Sequence, residues 1–267
     1  MAWDPEQYHK FQTERALPFY DLLNLIEIRE NLRVIDLGCG TGELTLALFR
    51  RLPDSEVLGI DSSAEMLAAA QEKAQPGLRF ERRRIEEITG QWDLVFSHAA
   101  LQWVERHETL VPQIFALVAP GGQLAVQLPS NLGSPAHQLL LETVKEAPFV
   151  EALAGWVRPN PVLPIVQYAE LLYQCGGEEI TVFEKIYPHL LRDAAAVLEW
   201  SLGTSLRPYL ARLPETLHPS LIERYRQKLE QRWPVGPVFY PFQRTLFAAK
   251  KPLLQSPQPG QVSHPPR

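Results

Sequence analysis

The run VIDLGCGTGELT, residues 34–45, constrains the fold more than any other part of the chain. Val34, Ile35 and Leu37 form a short, partly β-branched apolar run of the kind found in a strand buried on both faces. It breaks at Gly38, Gly40 and Gly42, and a helical stripe follows on Leu44, Ala47, Leu48 and Leu52. A strand that feeds a glycine turn and then a helix opens an α/β unit. The N-terminus of that helix faces whatever the turn wraps.

The same rhythm recurs downstream. EVLGID reads as a strand and SAEMLAAAQEKA as a helix; Leu78 to Arg82 and WDLVFSH give two further strands. HETLVPQIFALVA reads as a helix ended by Pro120-Gly121-Gly122, and GQLAVQLP as a fifth strand. Strands alternating with helices at this spacing predict a parallel sheet covered on both faces. A helix from about Tyr8 to Ile28, interrupted by Pro18, precedes the first strand. After Ser130 the pattern loosens. LPIVQYAELLYQCGG then reads as a helix, EEITVFEKIY and FQRTLFAAKK as the last two strands, and the segment between them as two or three helices. The expected architecture is α/β: a seven-stranded, mostly parallel sheet with helices on both faces and a small helical cap. Residues 1–188 and 237–252 form the main domain, 189–236 the cap insertion, and the proline-rich residues 253–267 a disordered tail.

Composition narrows the partners. With 267 residues, 45% hydrophobic, 21% charged and a net charge of −5, the chain has no general basic field for nucleic acid or an anionic membrane. No run of about 18 apolar residues spans a bilayer. The opening MAWDPEQYHKFQTER lacks the cationic start and apolar core of a secretory leader. Two cysteines, Cys39 and Cys175, supply neither a disulfide framework nor a metal cluster. The expectation is a cytoplasmic monomer without metal, acting on a small molecule.

Asp36, two residues before the turn, decides the ligand. A dinucleotide site has the spacing G-x-G-x-x-G; here the third glycine of Gly38-Cys39-Gly40-Thr41-Gly42 comes one place early. A carboxylate at the lip of a pyrophosphate site would repel its ligand, whereas beside an ammonium group it attracts, by about 1.5–3 kcal/mol. The loop therefore favours a nucleoside that is positive and carries no phosphate, over a nicotinamide dinucleotide. S-adenosylmethionine fits. Asp61, 21 positions after Gly40 at the end of the second strand, stands where an acid accepts hydrogen bonds from ribose hydroxyls. The plainer alternative makes Asp36 and Asp61 a helix cap and a turn residue.

With VIDLGCGTG in place, the chain resembles the class I S-adenosylmethionine-dependent methyltransferases, over roughly residues 1 to 252. The resemblance implies the Rossmann-like fold of that class. It puts Asp36 by the methionine amino group, Gly38, Cys39 and Gly40 along the cofactor with their backbone, and Asp61 on the ribose. Ser62 and Met66 would flank the adenine, and Ser97 would join the lining. Such enzymes often set an aspartate against the adenine amino group. Here that place falls on Arg84, next to Ile85, and a guanidinium cannot accept that bond. Glu86 or a backbone carbonyl would take the task.

Three further blocks resemble the trans-aconitate methyltransferase family. They are WDPEQYHKFQTER, the segment FSHAALQWV, and EWSLGTSLRPYL with ERYRQKLE. Leu-Gln-Trp also occurs in malonyl-carrier-protein methyltransferases and discriminates less. The resemblance implies a methyl ester formed on a small di- or tricarboxylic acid; a malonyl thioester or another acid, hydroxyl or amine is the alternative. No catalytic side chain is required, because a carboxyl group with a pKa near 4 is already an anionic nucleophile at neutral pH. The candidates for holding a polyacid are Tyr8, Arg15, His98, Trp103 and Arg207. Tyr209 and Trp3 would shape the cavity, with Arg224 and Arg244 as further cations. Each arginine could instead form a surface ion pair, His98 could be a packed imidazole, and the aromatics could be core.

Overall fold

A computed structural model describes residues 12–253, with side chains from residue 17 onward. Its centre is the expected seven-stranded sheet, in the order β3-β2-β1-β4-β5-β7-β6. The strands are β1 (Arg33–Leu37), β2 (Glu56–Asp61), β3 (Leu78–Arg82), β4 (Trp92–His98), β5 (Val118–Pro129), β6 (Glu178–Leu191) and β7 (Val238–Lys250). Only β7 runs antiparallel to its neighbours.

Successive side chains point to opposite faces of a strand, so each central strand feeds two cores. On one face Val34, Leu94 and Phe96 pack under α1 (Gln12–Leu23), α2 (Glu43–Phe49) and α3 (Ala64–Gln71), where they meet Phe19, Leu22, Leu48 and Leu67. On the other, Ile35, Leu37 and Val95 pack under α4 (His107–Ala116) and α7 (Ile165–Gln174), through Leu110, Ile114, Tyr168 and Leu172. Double-sided burial is why these strands read as continuous apolar runs rather than alternating ones. Each of the fully buried aliphatic side chains stabilises by about 1.5–3 kcal/mol.

A third apolar cluster lies against the outer end of the last two strands. The strands β6 and β7 pair along Glu178↔Lys250 to Leu191↔Val238, whereas β5 pairs with β7 only from Gln123 to Pro129. The outer half of the β6–β7 pair therefore continues past the end of β5 as a two-stranded ribbon. One face of it, with Tyr187 and His189 of β6 and Tyr240 and Phe242 of β7, is buried. Leu191, Tyr240 and Phe242 share a core with α8 (Ala194–Leu202), α9 (Arg207–Leu210) and α10 (His218–Arg232), the helices expected in the cap. That core also takes in α5 (Pro135–Val144) and α6 (Phe149–Ala152), through Leu140, Val144 and Phe149. The helical layer thus draws on two separate segments of chain.

Local chemistry sets the ends of the elements. Ser63 caps α3 by accepting from the Met66 N–H at 3.2 Å, and Asp193 caps α8 through the Ala196 N–H at 2.9 Å. Gly176, at φ +77, ends α7, and the Gly177 N–H closes onto the Leu172 carbonyl. Two expected boundaries move. The first helix runs through Pro18 and stops at Leu23, short of Ile28. Pro120-Gly121-Gly122 ends no helix: it lies inside β5, at a register shift where Trp92 pairs with Val118 but Leu94 with Gln123. A Cβ on Gly122 would come within 2.8 Å of the Asp93 carbonyl, so the irregularity excludes a side chain there. The expected tail lies outside the described residues from position 254.

Candidate active site

In a doubly wound sheet, ligands bind beyond the C-terminal ends of the strands where the strand order reverses. That point lies between β1 and β4, which pair from Val34↔Leu94 to Asp36↔Phe96. A cavity of about 520 Å³ opens there, within the size range of small-molecule sites.

Asp36 forms its floor. The residue is 4% exposed, one carboxylate oxygen accepts from the Thr45 hydroxyl at 2.6 Å, and the other is buried with no partner among the described residues. Burial pushes its pKa up to about 7, against the Thr45 hydrogen bond; the nearby Asp61 charge raises it further.

The glycine turn is pinned to β2. The N–H groups of Gly38 and Cys39 both donate to the Ile60 carbonyl, at 2.9 and 2.8 Å. Asp61 then uses one oxygen on the Gly40 N–H and the other on the Ser63 N–H, each at 2.9 Å. Gly38 (φ +84) packs so closely that a Cβ would stand 2.2 Å from that of Ala100. A Cβ at Gly40 would meet nothing within 4 Å, so there the backbone itself faces the cavity. The Cys39 side chain turns away into the core, and burial with the two neighbouring carboxylates pushes its thiol pKa up.

Of the expected cofactor residues, Asp36, Gly38, Cys39, Gly40, Asp61, Ser62, Met66, Arg84 and Ile85 all border this one cavity. Ser97 does not: it is fully buried, and its hydroxyl donates to the Leu37 carbonyl at 2.8 Å, tying β4 to β1. Arg84 is largely exposed and pairs with Glu86 at 3.0 Å, so the side chain expected to replace an adenine-binding acid already engages its neighbour.

His98, Trp103 and Arg207 border the same cavity. After β4 the chain turns sharply, with Ala99 held at φ +53 and its N–H donating to the Gln127 carbonyl at 2.8 Å. The following 3₁₀ turn, Leu101–Trp103, is fixed from beneath by His107. Its Nε2 donates to the Leu101 carbonyl at 2.9 Å, which leaves Nδ1 to accept from the Tyr168 hydroxyl at 2.6 Å. Burial lowers the His107 pKa and keeps the ring neutral. His98 is buried edge-on to Phe19, with ring centroids 5.8 Å apart. With the Gln127 amide oriented so that both of its ends pair, it donates to His98 Nε2 and accepts from Arg244, each at 3.1 Å. Arg244 therefore stands behind His98 and borders no part of the cavity.

Two other candidates sit elsewhere. Tyr209 is buried in the helical layer against Trp156, and Arg224 forms an ion pair with Glu146 at 2.6 Å on the surface of α10. Trp3 and Tyr8 lie outside the described residues; Arg15 lies on α1, with its side chain outside them.

Comparison with known proteins identifies the fold and the family. Residues 28–170 match the family model described as a methyltransferase domain. The trans-aconitate 2-methyltransferase of Deinococcus radiodurans is 44% identical over 260 residues, covering 95% of this chain and all of the relative. The enzyme of the same name from Variovorax paradoxus is 39% identical over 258 residues, covering 94% and 99%. The chain belongs to the trans-aconitate 2-methyltransferase family. It is an S-adenosylmethionine-dependent methyltransferase of class I.

Solved structures place this methyltransferase's fold among its class. Phosphoethanolamine N-methyltransferase 2 of Haemonchus contortus, solved with S-adenosylhomocysteine, superposes with a TM-score of 0.54 at 18% identity, covering 89% of this chain and 53% of that one. The YcgJ protein of Bacillus subtilis gives 0.57 at 13% identity, covering 89% and 99%.

The residues of the cavity floor fit the methyltransferase cofactor. An unpartnered buried carboxylate oxygen on Asp36 suits an ammonium donor, and Gly40 leaves room for a ligand where a Cβ would stand. Asp61 keeps acceptor capacity for ribose hydroxyls after its two backbone bonds, since each carboxylate oxygen has two lone pairs. Sequence reasoning missed Arg158, a half-buried guanidinium that lies 4.3 Å over the Trp103 ring. It sits in the loosely patterned stretch after Ser130, and its one signal is the Arg-Pro-Asn-Pro run that stiffens the chain around it.

Proposed function

We propose that this enzyme esterifies one carboxylate of trans-aconitate with the methyl group of S-adenosylmethionine. The observation that carries the reading is that one cavity is lined by both buried acids and cationic side chains. Asp36 and Asp61 line it at the ends of β1 and β2, and His98, Trp103 and Arg207 belong to the same lining, as does the exposed Arg84–Glu86 pair. A cationic cofactor and an anionic acceptor would each meet the opposite charge, and the names of the 35–44% identical relatives give the acceptor.

When bound, the cofactor supplies a methyl group on a positive sulfur, which leaves as a neutral thioether once the new carbon–oxygen bond forms. The protein's part is placement. Asp36 would take the ammonium, Asp61 the ribose hydroxyls, and Met66 and Ile85 would hold the adenine between apolar surfaces. Arg207 and His98 would orient the acceptor carboxylate, which is ionised at neutral pH and needs no general base. Holding nucleophile and methyl carbon in line can contribute about 7–11 kcal/mol, enough to be the main source of rate. Trp103 would keep water from the reacting oxygen.

We infer a monomer. Among the described residues no helix is long and apolar enough to cross a membrane, and Cys39 and Cys175 are free thiols, which supports a cytoplasmic site of action. The test is incubation with methyl-labelled cofactor and a panel of acids. Label in a base-labile ester of trans-aconitate supports the reading; label on a malonyl thioester alone replaces it.

A further inference from the structure

A second cavity, of about 110 Å³, lies on the other side of Trp103, between the proline-rich strap after α6 and the helices α5 and α8. Its mainly apolar wall also carries polar side chains, with Asn131, His137, Arg158, Asn160 and Thr204 among its lining. Among the described residues Arg158 is the only cation of the lining, and no acidic side chain contributes to it.

The guanidinium of Arg158 is held but not neutralised. One N–H donates to the Gln102 carbonyl at 2.6 Å, and its plane lies over Trp103. Among the described residues no carboxylate comes within ion-pair distance of it. Removing a charge from water without a counter-charge is costly, and a guanidinium has five donors in a fork that matches a carboxylate. Burial, joined by the same positive charge, pushes the nearby His137 pKa down to about 4, so that ring is neutral. The strap is also stiff. Pro159, Pro161 and Pro164 restrict its backbone, the Arg158 N–H donates to the Tyr209 hydroxyl at 3.3 Å, and the Leu163 N–H donates to the Tyr168 hydroxyl at 3.1 Å. Arg158 is thereby fixed between the helical layer and the main core.

We propose that this second cavity receives the remote, unmethylated carboxylate of a polyacid substrate, with Arg158 as its counter-ion. Trp103 would then divide the reacting carboxylate from the recognised one. The inference rests on the reading of the acceptor as a polycarboxylic acid, and it assigns the discrimination against monoacids to Arg158.

The test compares wild-type enzyme with Arg158→Gln, Arg158→Lys and His137→Asp, using trans-aconitate and the monoacid crotonate as acceptors. Loss of one charge-assisted bidentate contact predicts that Arg158→Gln raises KM for trans-aconitate about tenfold or more. It leaves kcat and the Kd for S-adenosylhomocysteine within about threefold, and erases the preference over crotonate. Arg158→Lys, which keeps the charge but not the fork, falls between. His137→Asp leaves Arg158 and its packing in place but sets a carboxylate beside it, and should reproduce the rise in KM even if Arg158→Gln does not fold. An unchanged KM in His137→Asp and in any folded Arg158→Gln, with wild-type enzyme methylating trans-aconitate, overturns the inference and leaves the proposed reaction standing. A wild-type enzyme that binds S-adenosylhomocysteine but methylates no polyacid overturns both.

Discussion

Thr45 and Asp36 form a 2.6 Å hydrogen bond that occupies one carboxylate oxygen and leaves the other buried with no partner among the described residues. Thr45 lies on the first turn of α2, so the helix that follows the glycine turn also orients the acid that precedes it. The bond favours the ionised form, yet burial outweighs it and the pKa stands at about 7.

Cofactor binding should therefore depend on pH. Asp36 must be ionised to meet an ammonium group, so below about pH 7 the Kd for S-adenosylmethionine should weaken by about tenfold per pH unit. Binding at pH 6 should release a proton, which calorimetry in two buffers of different ionisation enthalpy detects. The ligand-free protein should show the opposite trend in stability. A folded-state pKa above that of an unfolded aspartate means that the folded chain holds the proton more tightly between about pH 4 and 7. The contribution of Asp36 to stability is thus greatest at the acid end and declines up to about pH 7.

Gly38→Ala should disable the turn. The new methyl would stand 2.2 Å from the Ala100 side chain, on a backbone at φ +84. Together the left-handed conformation and the overlap should cost about 2–5 kcal/mol. Gly155→Ala is the control: its φ is +70 but nothing lies within 4 Å, so about 1–2 kcal/mol is expected. Denaturant unfolding separates the two, and only the first should weaken S-adenosylhomocysteine binding.

Tyr168→Phe removes one oxygen and strands two partners, the buried His107 Nδ1 and the half-buried Leu163 N–H. Each should cost about 1–3 kcal/mol, read as a lower unfolding midpoint. Because His107 also fixes the Leu101 carbonyl beneath Trp103, the KM for the acceptor should rise more than the Kd for the cofactor.

The five strands that alternate with helices were legible in the sequence because double-sided burial forces continuous apolar runs, as in Val34 to Leu37. The cofactor floor was legible because a glycine turn and two acids at fixed spacing have few other uses. Other features depend on contacts that no local pattern carries. The ribbon that extends β6 and β7 past β5 is set by the helical layer beneath it, and the residues 135–153 join that layer through Leu140 and Phe149. Ser97 sits beside the site in sequence but turns to the Leu37 carbonyl. Arg158, about 120 positions from Asp36, reaches the neighbourhood of the site only because the strap crosses Trp103.

Asp36→Asn tests the account most directly, since it keeps the shape of the side chain and the Thr45 contact while removing the charge. Calorimetry at pH 8 should show S-adenosylmethionine binding weakened by roughly ten- to hundredfold, with the unfolding midpoint of the ligand-free protein unchanged or higher. An affinity equal to that of the wild type would contradict the claim that a buried negative charge selects the cofactor.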